Sequence, residues 1–160
     1  MAAALAEHAG LSAASAGFMG EGQPAPPLAV EVMAERGIDI SGHRSRQVTA
    51  ELVADAELVL TMTRQHLIDV VMLNPQRWAH CFTLIDAVGR AENLGPRPPA
   101  TDLTTWVGRM GGGRSRSSLL GLALDDDIPD PMGRRRSAFV DTAKLLNDLV
   151  LRLGAMIWPA

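Results

Sequence analysis

Cysteine is almost missing from this sequence: Cys81 is the only one in 160 residues. A lone thiol excludes an internal disulfide and any zinc site built from several cysteines. A basic excess is missing too, because 18 acidic residues outnumber 15 basic ones for a net charge of −3. A general nucleic-acid binder carries the opposite balance, so no nucleic acid is expected as a partner. No apolar run approaches the roughly 20 residues that span a bilayer, so no membrane is expected either. Stretch 1–17 lacks a positive leading region, and Glu7 and His8 interrupt its apolar part. It therefore does not read as a signal peptide, and a cytoplasmic location is expected. Lysine is limited to Lys144, a pattern that reads as codon bias toward arginine and alanine and nothing more.

What remains is ordinary for a globular chain. With 47% hydrophobic and 21% charged residues, wholesale disorder and collagen-like or mucin-like structure are excluded. At this length a single domain, 1–160, with one core is expected, leaving room for a small helical addition.

Helical spacing and its punctuation divide the chain. A short helix over 2–9 stops at Gly10, and 11–17 is a small-residue segment of strand length running into a turn. Gly20, Gly22, Pro24, Pro26 and Pro27 make a loop. Leu28, Val32 and Met33 mark the next helix, closed at Gly37, and 38–47 is irregular. Thr49 is a candidate N-cap for a helix over 50–56. The run 57–62 (ELVLTM) reads as a strand, followed by a helix over 64–73 that Asn74-Pro75 stops. A second such run, 79–84 (AHCFTL), leads into another helix. Strands apolar throughout and alternating with helices argue for a parallel sheet covered on both faces.

Further on, 95–100 (GPRPPA) is a break, and Asp102 caps a helix containing Leu103, Trp106 and Val107. A flexible connection follows from Gly111 through the serine and arginine residues of 114–118, and then an acidic run, 125–127. The last helix is the clearest element, with Phe139, Ala143, Leu146, Val150, Leu153 and Ile157 on one face at a period of 3.6.

Residue by residue, most candidates have a plain structural reading. Cys81 lies inside a strand-like run, as a packed core thiol would. Asp130-Pro131 suits a turn ahead of the last helix. His43 fits a half-buried side chain bonded to backbone, and Ser15 fits a strand end. His8, His66 and His80 share no metal-ligand spacing, so no metal is expected. The groups Arg44/Arg46, Arg114/Arg116 and Arg134–Arg136 suit solvated faces, and the last could also attract an anion or an acidic partner.

Three segments, in order, resemble the low-molecular-weight protein tyrosine phosphatases: Ser15-Ala16-Gly17, the run GIDISGHRSRQVT at 37–49, and Asp130-Pro131-Met132-Gly133. The resemblance covers nearly all of the chain except 90–124, where it implies a helical insert. It implies an α/β fold of three layers, with a small parallel sheet and helices on both faces. The family has four strands, of which three are expected here.

The activity implied is hydrolysis of a phosphate monoester on a phosphorylated protein or a small ester, with no cofactor. A cysteine thiolate attacks phosphorus, backbone amides and an arginine hold the phosphate, and an aspartic acid protonates the leaving oxygen. By this resemblance Asp130 holds the general-acid position. Pro131 and Met132 stand at the substrate wall, and His43 and Ser15 are candidates to brace the phosphate loop. The family's Cys-x5-Arg loop has no counterpart in the sequence, and Cys81 lacks an arginine at the right distance. The chain is therefore expected to be inactive as it stands, as a truncated gene model or a decayed paralogue. A non-catalytic protein-binding module is the alternative. The related arsenate reductases pass oxidation between several cysteines, which one cysteine cannot support.

Overall fold

Four helices begin where a side chain takes up an amide that the first helical turn leaves without a partner. Thr49 accepts from the Leu52 N–H (3.3 Å), Thr63 from that of His66 (3.2 Å), Thr83 from that of Asp86 (3.2 Å) and Asp102 from that of Thr105 (2.8 Å). The structure, a computed structural model, describes residues 1–115 and 126–159. In chain order the elements are α1 (Ala2–His8), α2 (Pro27–Ala34), α3 (Ala50–Asp55), β1 (Val59–Thr61) and α4 (Arg64–Leu73). A 3-10 helix (Pro75–His80), β2 (Cys81–Thr83), α5 (Leu84–Leu94), α6 (Leu103–Met110) and α7 (Arg136–Ile157) follow. The architecture is α/β with a small parallel sheet, and backbone contacts divide it into two compact units.

The first unit comprises Met1–Val48 and Pro129–Gly154. Its core is apolar and largely helical: Leu5 of α1, Val32 and Met33 of α2, and Ile38 and Ile40 beyond it. Phe139, Ala143, Leu146, Val150 and Leu153 supply the α7 stripe that the 3.6 period predicts, while Asp141, Lys144, Asp148 and Arg152 are exposed. The helix is held at its start by Thr142, whose hydroxyl donates to the Pro129 carbonyl (3.3 Å), and by an ion pair between Arg136 and Glu35.

The second unit comprises Thr49–Ile128 and Ala155–Ala160. Here β1 and β2 pair in parallel, in the register Val59 with Cys81, Leu60 with Phe82 and Thr61 with Thr83. Parallel neighbours need a crossover, and α4 with the 3-10 helix supplies it. Leu67, Val70, Phe82, Leu84, Val88, Trp106 and Val107 are buried. The acidic run has a structural use: Asp127 accepts from the Arg64 N–H (2.7 Å) and Asp126 pairs with the Arg64 guanidinium (2.5 Å), placing carboxylates at the α4 N-terminus. Asp125 lies outside the described residues.

Three expectations change. Among the described residues the sheet has two strands rather than three, since segment 11–17 is reduced to a single parallel bridge between Gly17 and Gln47. The run 79–84 yields strand only from Cys81, because Ala79 and His80 complete the 3-10 helix that Pro75 starts. The 90–124 stretch is helical at the end of α5 and in α6, and its 116–124 portion, with Arg116, lies outside the described residues.

Gly111 follows α6 where the Ala79 carbonyl oxygen would stand 2.6 Å from an added Cβ. Gly111→Ala should cost about 1–3 kcal/mol through that overlap. Asp102→Ala, which removes only a cap, should cost about 1 kcal/mol. Urea unfolding followed by circular dichroism measures both, and a larger loss for Asp102→Ala would overturn this ordering.

Candidate functional site

Segment 43–48 organises the first unit by bonding on two sides. Toward 20–24, the Ser45 hydroxyl donates to the Gly20 carbonyl (2.6 Å) and accepts from the Gln23 N–H (3.0 Å). The Gly22 N–H donates to Ser45 O (2.8 Å), and the Ser45 N–H donates to Gln23 O (2.9 Å). Toward 15–17, Arg46 Nε donates to Ser15 O (2.9 Å), the Gly17 N–H donates to Arg46 O (3.0 Å), and the Val48 N–H donates to Gly17 O (2.9 Å). Positive φ at Gly20 and Gly22 lets the loop turn back onto Ser45.

These ties leave a groove of about 680 Å³ within the first unit. Ala3, Ala4, Ala29, Ile40 and Phe139 give it apolar lining, and Ser15, His43, Arg44 and Arg46 contribute polar groups. Pro131 and Met132 also line it, the latter 57% exposed. Asp130 is their exposed neighbour, and its carboxylate accepts from the Met132 N–H (2.9 Å) in an Asx turn. The Arg134 N–H closes the turn on Pro131 O (3.0 Å).

The groove thus gathers four of the five expected site residues, Ser15, His43, Pro131 and Met132, with Asp130 adjoining them in sequence. His43 is exposed rather than half-buried; its backbone N–H donates to Ile40 O (3.0 Å), and the residue is part of the groove lining. Sequence reasoning passed over Ser45, whose four bonds all fix the 20–24 loop. A serine between two arginines in an irregular stretch carries no local signal for that role.

Cys81 belongs to the second unit, at the start of β2, and is fully buried. Its thiol donates to the Arg77 carbonyl (3.3 Å). Burial pushes the thiol up to about 11, outweighing the nearby Arg77 and Arg114 charges that favour the anion. Arg114 lies over the Phe82 ring at 4.1 Å and donates to Cys81 O (2.8 Å), so it packs against the strand rather than presenting itself to a ligand. No group of three or more His, Cys, Asp or Glu placed to hold a metal occurs among the described residues. Nor is any helix among them long and apolar enough to cross a membrane.

Comparison with known proteins adds the following. The family model described as low molecular weight phosphotyrosine protein phosphatase matches residues 1–99. The probable low molecular weight protein-tyrosine-phosphatase EpsP of Ralstonia solanacearum is 44% identical over 87 residues, covering 52% of this chain and 60% of that protein. Etp of Escherichia coli K12, a low molecular weight protein-tyrosine-phosphatase, is 34% identical over 68 residues, 42% of this chain and 46% of that one. The chain therefore spans about half the length of these curated relatives. Among solved structures, the YwlE arginine phosphatase from Geobacillus stearothermophilus superposes with a TM-score of 0.68 at 29% identity, covering 95% of this chain and 79% of its own. The tyrosine phosphatase AmsI of Erwinia amylovora gives 0.70 at 20% identity, covering 98% and 82%, which shows the shared fold.

A thiol whose acidity is lowered this far makes two linked predictions. Native Cys81 should resist iodoacetamide at pH 8 and react once urea unfolds the chain. Because the folded state holds this proton more tightly than the unfolded state, stability should fall as pH rises between about 9 and 11. Cys81→Ala should flatten that slope, and rapid alkylation of the native chain would contradict the assignment.

Proposed function

Because the chain belongs to the low molecular weight phosphotyrosine protein phosphatase family, we propose that its first unit provides the acid-loop side of a phosphotyrosine phosphatase site. In that reading Asp130 is the general acid, Pro131 and Met132 border the leaving group, and His43 and Ser15 brace whatever cradles the phosphate. The Asx turn supports it, since it holds the carboxylate at a fixed place beside the groove. A tyrosine oxygen leaves readily only when protonated, and a positioned carboxylic acid lowers that barrier.

We further propose that the 160-residue polypeptide by itself does not turn over. The observation that carries this is the state of its one cysteine: buried in the second unit, with a pKa pushed up to about 11. A protonated core thiol does not attack phosphorus, so no phosphoenzyme forms for Asp130 to serve. The substrate class proposed is phosphotyrosine on protein, or a small phosphate monoester, in the cytoplasm. The matched family is a phosphotyrosine protein phosphatase family and EpsP a probable protein-tyrosine-phosphatase, whereas YwlE is an arginine phosphatase.

With para-nitrophenyl phosphate, a phosphotyrosine peptide and a phosphoarginine peptide, this polypeptide should release phosphate no faster than buffer. Turnover that falls at least tenfold in Asp130→Ala would keep the acid role and overturn the inactivity. Turnover unaffected by Asp130→Ala would overturn both.

A further inference from the structure

A second cleft lies within the first unit and shares no lining residue with the groove. Its volume is about 330 Å³, and it forms where the ends of α1 and α2 meet the middle of α7. Leu5 and Ile38, 3% and 8% exposed, give it an apolar floor. From α7 come Lys144, Asn147, Asp148 and Leu151, whose helical spacing puts them in one row on the outward face. Leu151 is out of keeping with that face, being the one exposed large apolar side chain among the described residues of α7.

The charges of the lining do not cancel. Arg36 and Lys144 bring two positive charges and Asp148 one negative. Neither cation makes an ion pair with a described residue, whereas Asp148 already accepts from Arg152, one turn further along α7 and outside the lining (3.1 Å). Arg36 donates one N–H to Val32 O (2.8 Å), which anchors the guanidinium at the end of α2 and leaves its remaining N–H groups for a ligand. The His8 ring and the Asn147 amide add neutral donors. Surplus positive charge beside an apolar floor suits an anion that carries an apolar body.

We propose that this cleft binds a small monocarboxylate, its carboxylate held by Arg36 and Lys144 and its apolar body laid over Leu5, Ile38 and Leu151. Lys144 and Leu151 stand about 10 Å apart along the helix axis, which sets the length of the ligand. The volume equals that of about eleven waters at ~30 Å³ each, so an anion of about ten non-hydrogen atoms fits. A single negative charge matches the surplus, because Asp148 opposes a second. Binding involves neither Asp130 nor Cys81, so it stands apart from the phosphatase reading.

The probe is hydrocinnamate, titrated into the isotopically labelled 160-residue chain and followed by amide NMR shifts. Saturable shifts are expected at His8, Gly37, Lys144 and Asn147, and the probe should protect Lys144, the chain's only lysine, from acetylation by acetic anhydride. Hydrocinnamamide keeps the body and loses the charge, while acetate keeps the charge and loses the body; each should bind at least tenfold more weakly. Lys144→Gln and Leu151→Ser, both on the exposed face of α7, should each weaken binding at least fivefold, with helix content checked by circular dichroism. Asp148→Asn, which removes the opposing charge, should tighten it. Absence of saturable shifts, equal binding of the amide, undiminished binding by Lys144→Gln, or shifts confined to the groove residues would each overturn the proposal.

Discussion

Whether a thiol is a nucleophile depends on the free energy of its anion, and in this protein that term is dominated by desolvation. Two guanidinium groups stand near Cys81, the kind of surroundings that make reactive cysteines. They lose because the sulfur begins a strand whose three residues are all buried and whose sheet neighbour is Val59. The arginines are also committed elsewhere: Arg114 stacks on Phe82 and bonds the Cys81 carbonyl, and Arg77 donates to Ala56 O. The thiol belongs to the second unit, and the Asp130 loop, His43, Arg44 and Arg46 belong to the first.

Around the groove the chain relies on backbone geometry more than on apolar bulk. Segment 43–48 has no helix and no strand longer than a bridge, yet it holds two loops through Ser45 and Arg46. Each such bond contributes only about 0.5–1.5 kcal/mol net, but losing one partner in a shared network exposes the rest. The Asp130 turn is held likewise, by Thr142 behind it and by the Arg136–Glu35 pair on α7 and past α2. The apolar stripe of α7 supports this arrangement from within the unit.

Much of the fold was legible because its signals are local. Thr49 and Asp102 announce their caps within three residues, Asn74-Pro75 ends α4 where expected, and the α7 stripe repeats for five turns. What escaped depends on distant partners. The 3-10 helix overrode a strand-like run because Pro75 favours a helical start and β2 needed only three residues. Segment 11–17 has the composition of a strand, but pairing depends on a neighbour, and only Gly17 meets one. His43 was expected half-buried since its own residues say nothing of the open groove beside it. Arg97, which bonds Met156 O, Ile157 O and Thr101 O and so closes the end of α7, looked like part of a proline-rich break. The candidate site was legible as three short segments; the ties that bring them together were not.

The central claim is that the one thiol of this chain is a core side chain and takes no part in phosphoryl transfer. Incubation of the native polypeptide with excess para-nitrophenyl phosphate, acid quench and intact-mass spectrometry tests it directly. The account predicts a single unmodified mass at every time point. A species heavier by one phosphoryl group, mapped to Cys81, would contradict it.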